Sequence, residues 1–205
     1  MINSSMRLRS SQIRVIILIL IFYILPPIFI KLDFIPFNLR FVLLTAIAPL
    51  LFLIRPTKTT TRQQMGITTK GWFRSIASII PVTLMIALPM FLLAMAHEPR
   101  YDNSSLTILF YGFYVLISCP FQEFAYRGFL FPALDVLDLN NWTRILFASV
   151  LYSFVHVIYK DAFILLFTFI MGILWNIFYE KNRNVIGVAF SHSILGTISI
   201  LLGLI

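Results

Sequence analysis

Four ionisable side chains lie within or beside otherwise apolar stretches of this chain: Glu123, Arg127, His156 and His192. Inserting such a group into hydrocarbon costs about 2.5–3.5 kcal/mol, so each is a functional candidate by default. Glu123 and Arg127 are spaced i, i+4, share a helix face and can pair. The pair reads two ways: a salt bridge that admits both charges, or a base tuned by burial and by its guanidinium neighbour. A lone His on an apolar helix is more often a hydrogen-bonded core residue. Two on separate segments, with a carboxylate on a third, can do more if they converge. The carboxylate can take a proton from water. One imidazole can orient that water or donate to a leaving amine, and the other can stabilise an oxyanion. That is the chemistry of peptide hydrolysis. Two His and a Glu could equally hold zinc. The chain has no His-Glu-x-x-His segment, the compact way to build such a site, so zinc is the minority reading and no cofactor is expected.

The elements that must carry these residues follow from composition. Of the 205 residues, 60% are apolar and 16% aromatic, and only 12% are charged, about half the share of roughly 25% found in soluble domains. A soluble domain of this size cannot hide so much apolar surface. A disordered chain and a disulfide scaffold are excluded too, and the single Cys119 reads as a buried apolar side chain. What remains is an all-α, polytopic transmembrane helix bundle forming a single membrane domain over 1–205. Its uncharged runs are Val15–Ile30, Phe41–Ile54, Ser75–Ala96, Ser104–Gln122, Ile145–Tyr159, Ala162–Tyr179 and Asn184–Ile205. They give about seven spans, with a range of six to eight; the short ones lengthen if flanking charges snorkel. None alternates with period two, which argues against an outer-membrane barrel. The first run is long for a signal peptide and lacks an A-x-A site, so it reads as an uncleaved span.

Basic residues set the expected orientation. Residues 1–14 carry Arg7, Arg9 and Arg14, the loop 55–74 carries five bases and no acid, and the turn at Lys181 and Arg183 is basic. These are separated by two spans and then four, so all fall on the cytoplasmic side, with the N-terminus in and the C-terminus out. The loop 135–141 is the weak point: it should be cytoplasmic, yet holds Asp135 and Asp138. The loop 55–74 reads as a solvated connector. The net charge of +8 fits cytoplasmic loops beside anionic lipid, and no nucleic-acid partner is expected.

The ionisable residues also fall into a known pattern. Gln122-Glu123-Phe124-Ala125-Tyr126-Arg127 resembles the Glu-Glu-x-x-x-Arg motif of the CAAX-protease and bacteriocin-processing (CPBP, or Abi) membrane proteins. Tyr152 to His156 is similar to that family's Phe-x-x-x-His, with Tyr for Phe. His192 to Gly196 falls where His-x-x-x-Asn or Asp stands. The resemblance covers about 104–205, the motif-bearing core. It implies an intramembrane glutamic-type endopeptidase, in which Glu and His activate water and a second His with Asn holds the oxyanion. Its substrate is a membrane-associated peptide or protein, prenylated in some members. On this pattern Glu123, His156 and His192 are catalytic, supported by Gln122 and Arg127. Two positions depart from it. Gln122 replaces the first Glu and cannot act as a base, and Gly196 offers no side-chain donor. Successive helix residues point about 100° apart, so Glu123 does not automatically face where Gln122 faces. Thr197 or Ser193 could deputise for Gly196.

Two outcomes stay open on the sequence: a Gln-Glu subgroup whose single acid works, or a catalytically silent member acting as a binding partner or bacteriocin self-immunity protein. A transporter ranks last, because no inverted repeat is present. Asn176, Gly172, Gly187 and Gly203 read as packing positions, and Pro120 as a kink. A bacterial inner membrane is the expected location, with a eukaryotic internal membrane as the alternative.

Overall fold

The computed structural model describes residues 9–205; Arg7 lies outside the described residues. Among those described, all regular structure is helical. Seven helices follow in order: α1 (Ser10–Lys31), α2 (Phe37–Ile54), α3 (Trp72–Ala96), α4 (Ile108–Asp135), α5 (Asn141–Tyr159), α6 (Ala162–Asn182) and α7 (Val185–Leu201). The first six are long and apolar enough to cross a membrane. The 17 residues of α7 stand at the lower limit of about 17 for a span. One boundary differs instructively. The fourth uncharged run stops at Gln122, but α4 continues to Asp135, because Glu123 and Arg127 neutralise each other on one helix face. Glu123 therefore sits near the middle of a 28-residue helix and not near its end.

The later helices start at side-chain caps. Thr107, Asn140, Asp161 and Asn184 each accept a bond from a backbone N–H two or three residues on, worth about 1 kcal/mol apiece. Three turns widen to π geometry: Leu20–Ile24 in α1, and Tyr114–Ser118 and Phe124–Phe129 in α4. Each precedes proline, at Pro26 and Pro27, Pro120 and Pro132. Proline cannot donate to the carbonyl four residues back, and its ring collides with it. Those carbonyls, on Phe22, Tyr23, Leu116 and Gly128, all lie inside the widened turns. The disturbance expected at Pro120 is thus a π-turn and not a break.

Helix α3 lies along α7, and α5 along α6, at small residues. Gly187 backs onto Ser75, and a Cβ on Gly172 would stand 3.1 Å from Ser149 Cα. Such close backbone approach drives helix association where apolar burial does not. Gly203, expected to pack between helices, instead lies beyond α7 with φ +63°, beneath Pro99 and Tyr101. On the outside, Leu53, Leu84, Met95, Leu109 and Leu116 are among the many large apolar side chains left bare. Such a belt marks a lipid-facing surface. The chain is an integral, multi-pass membrane protein.

Charge sorts to the two ends of the bundle. One end carries Arg9, Arg14, the bases of 55–74, Arg144, Lys181 and Arg183 against three acids. There Asp138 meets Arg9, and Asp135 meets Arg144 and Arg183, so the two aspartates of the 135–141 loop are neutralised in place. At the other end four bases face four acids. The basic loop is more than a solvated connector. Met65 is fully buried, Val185 N–H donates to the Gly66 carbonyl at 3.1 Å, and Asn184 Nδ2 donates to the carbonyls of Thr68 and Lys70.

Candidate active site

Glu123 and Arg127 are both 0% exposed. Arg127 Nη1 donates to Glu123 Oε1 at 3.1 Å, and its Nε donates to Asn176 Oδ1 at 2.9 Å. The guanidinium lies over the ring of Tyr152, 4.5 Å from its centroid. Asn176 Nδ2 in turn donates to Ser149 Oγ and the Ile145 carbonyl. Asn176, read from sequence as packing, therefore ties α4, α5 and α6 together around the buried charge pair.

Glu123 Oε1 has a second partner. His192 Nδ1 stands 2.7 Å away. A carboxylate oxygen only accepts, so Nδ1 carries the hydrogen of this contact. The other ring nitrogen, Nε2, is 3.4 Å from the Tyr114 hydroxyl, and the ring stacks on Trp175 at 4.8 Å. Trp175 is held by Ser191 Oγ at 3.0 Å. His156 is oriented similarly: its Nδ1 donates to the Tyr152 carbonyl at 2.9 Å, which leaves Nε2 bare. The Tyr152 ring lies between the two imidazoles, 5.2 Å from His156 and 6.1 Å from His192.

Three cavities meet here. A central one of about 450 Å³ opens at the charge-neutral end, beside Asp33, Tyr101, Asn103 and Lys160, and reaches Tyr114, Gln122, His156 and His192. A lateral one of about 400 Å³ is walled by apolar residues of α3, α6 and α7, such as Met85 and Phe167, and reaches Tyr114, His156 and His192. A narrow one of about 120 Å³ between α1 and α2 reaches Gln122 and His156. His156 lines all three. Glu123 lines none.

The expected cluster is therefore brought together in part. Glu123, Arg127 and His192 touch. His156 shares the cavities with His192 but not the carboxylate. Gln122 faces the cavity and donates to Ser118 Oγ at 3.0 Å, while Glu123, one residue on, faces inward. Glu123 has no surface on these cavities and meets them only through its contact with His192. Among the described residues, no three His, Cys, Asp or Glu side chains lie together as metal ligands.

Tyr114 carries no motif signal, and sequence reading missed it. A Cβ on Gly196 would collide with its hydroxyl and lie 2.9 Å from its ring carbons. The tyrosine thus fills the space that a longer side chain at 196 would need. Thr197 and Ser193 do not take that place: Thr197 Oγ1 is buried without a partner, and Ser193 Oγ lies 3.4 Å from the Val115 carbonyl.

A helical membrane protein with a carboxylate-backed imidazole and a second imidazole on one buried cavity is the class that this fold and site define. The family model described as type II CAAX prenyl endopeptidase, Rce1-like, matches residues 103–198, from just before α4 into α7. That motif-bearing segment is similar to the CAAX-protease (CPBP) family. No curated protein and no solved structure matches the chain.

Proposed function

We propose that this chain is a membrane-embedded endopeptidase that hydrolyses a peptide bond of a membrane-associated peptide or protein, without a cofactor. The observation that carries the reading is the Glu123–His192 contact: a fully buried carboxylate fixes one nitrogen of a ring whose other nitrogen is on the cavity side. His192 Nε2 takes a proton from water, and Glu123 stabilises the imidazolium that results. His156 Nε2 accepts a bond from the same water and orients it. The hydroxide oxygen attacks the carbonyl carbon, and the oxyanion takes a bond from the Tyr114 hydroxyl. As the C–N bond breaks, His192 returns the proton to the leaving amine. Arg127 and Asn176 hold Glu123 in place. The lateral apolar cavity accepts the hydrophobic part of the substrate, a lipid chain included.

The basic end is assigned to the cytoplasm of a bacterial inner membrane by the positive-inside rule, so the cavity mouth faces the opposite side. Impermeant maleimide should then label Lys160→Cys and not Lys58→Cys in intact cells, with Cys119 replaced by Ala. The reverse pattern would invert the assignment.

One observation favours a second reading. Gln122, which cannot act as a base, occupies the cavity-facing position of the motif. A proteome-wide search for new protein termini separates the two, comparing native, Glu123→Gln, His192→Ala and Gln122→Glu chains in membranes. The endopeptidase reading expects native cleavage that falls about 10²–10⁴-fold in the first two variants, the usual worth of acid–base catalysis. Cleavage seen only with Gln122→Glu identifies a silenced member instead.

A further inference from the structure

We propose that Thr83 and Trp175 are positioning residues that hold the His192 ring in its working plane from helix α3. That His192 is the base rests on the endopeptidase reading; the positioning itself does not. A single bond from Nδ1 to Glu123 at 2.7 Å fixes one point of the ring and leaves it free to pivot there. The plane is fixed elsewhere. The indole of Trp175 lies close to parallel with the imidazole, at 28° and 4.8 Å, while the rings of Tyr114 and Tyr152 stand edge-on to it, at 83° and 89°. The indole face also favours the imidazolium that forms when Nε2 takes a proton.

The indole is held in turn. Trp175 Nε1 donates to Ser191 Oγ at 3.0 Å. Thr83 Oγ1 shares its hydrogen between the same oxygen, at 2.8 Å, and the Ile79 carbonyl, at 3.0 Å. Both lone pairs of the Ser191 hydroxyl are then in use. Thr83 and Ser191 are 2% and 0% exposed, so water offers no substitute for either bond. Neither residue lines a cavity at the site, so Thr83 can reach a bound substrate only through the indole. It also sits where α3 changes its work. Before Thr83 the helix backs onto α7 at Ser75 and Gly187; from Met85 onward it lines the lateral cavity. Consecutive residues of α6 serve the two partners of Glu123: Trp175 the imidazole, and Asn176 the guanidinium. Thr83 lies outside the segment that matches the family model, and it gives α3 a part in a site whose motifs all lie on later helices.

The test uses the full chain in nanodiscs, grown with isotope-labelled histidine. The three histidines, His97, His156 and His192, are assigned by replacing each with Gln. Thr83→Val keeps the shape and drops the hydroxyl. It should move the ring resonances of His192, leave those of His97 and His156 in place, and lower kcat about tenfold with KM unchanged, a fraction of what a misplacement of about 1 Å costs. Thr83→Ser, which keeps the hydroxyl, should restore both. Trp175→Phe, which keeps a ring face and loses the N–H, should lower kcat to the same degree. Thr83→Val/Trp175→Phe should be no worse than either alone, because both cut one link. Phe131→Leu, a cut in the core at the basic end, should lower the melting temperature and leave the His192 resonances and kcat as they are. Unmoved His192 resonances in Thr83→Val, or losses that multiply in the double variant, overturn the proposal. So does a Thr83→Val effect confined to KM. If the resonances move as expected but the native chain cleaves nothing, Thr83 and Trp175 stand as positioning residues and only the endopeptidase reading falls.

Discussion

Tyr114 and Gly196 make a reciprocal pair, and exchanging them tests the proposed chemistry. Removing one oxyanion donor costs about 10²–10³ in kcat, or about 2.7–4 kcal/mol. The hydroxyl stands 3.4 Å from His192 Nε2, longer than a good hydrogen bond, so Tyr114→Phe should fall at the lower end, near 10²-fold, with KM little changed. Its effect on stability should stay under about 1.5 kcal/mol, the worth of one hydrogen bond. Gly196→Asn alone should drive its side chain into the tyrosine and destabilise by about 1–3 kcal/mol through overpacking. Tyr114→Leu clears the space filled by the outer ring and hydroxyl. In the double variant Tyr114→Leu/Gly196→Asn, an amide donor enters that space from α7. Its kcat should exceed that of Tyr114→Leu by about tenfold, a coupling of about 1.4 kcal/mol between contacting residues. The assay is turnover of a peptide chosen from the termini found above, alongside thermal melting in detergent. The reasoning fails if Tyr114→Phe keeps native kcat, or if the double variant is no better than the product of its single effects.

Other outcomes follow from the same geometry. Arg127→Met leaves Glu123 buried and unpaired and should destabilise by about 3–5 kcal/mol, whereas Glu123→Leu/Arg127→Met should melt closer to native; equal melting of both would refute a buried pair. Asp161 should govern acid stability at the neutral end. Burial raises its pKa, but bonds from Tyr101, Arg100 and the Phe163 and Ile164 amides outweigh that and hold it below the usual carboxylate value. Its contribution is therefore present above the unfolded value of about 3.9 and is lost as pH falls through the lower folded value. Melting temperatures between pH 5 and 3 should drop less steeply in Asp161→Asn than in the native chain. Gly187→Leu should separate α3 from α7 at Ser75 and lower the melting temperature, while Gly112→Ala, with nothing within 4 Å of its added carbon, should leave it unchanged.

Much of this architecture can be read without coordinates. Seven apolar runs become seven helices in order, because hydrocarbon requires each span to satisfy its own backbone. Run edges mislead where charges cancel inside a helix, as at Glu123 and Arg127. The i, i+4 pair and the meeting of Glu123 with His192 are legible, since few other ionisable groups lie in the interior. The direction in which Glu123 faces is not, because two π-turns reset the angular phase of α4 on either side of it. Tyr114 is invisible for another reason: no spacing links residue 114 to residue 196, and a tyrosine among 16% aromatics draws no notice. Asn176 could have been found, because an amide deep in an apolar run needs partners of its own.

The π-turn at Tyr114–Ser118 has a consequence for how such a site changes over time. A π-turn is in effect an α-turn with one residue added, and neighbouring helix positions differ by about 100°. Remove that one residue and the turn closes to an α-turn while the helix beyond keeps its direction, so Glu123 stays turned inward and Gln122 stays on the cavity. The widened turn is thus a buffer: a single-codon deletion there is absorbed locally. Whether this helix shows its cavity an amide or an acid is set by the side chain at 122, and only a substitution at the motif changes it.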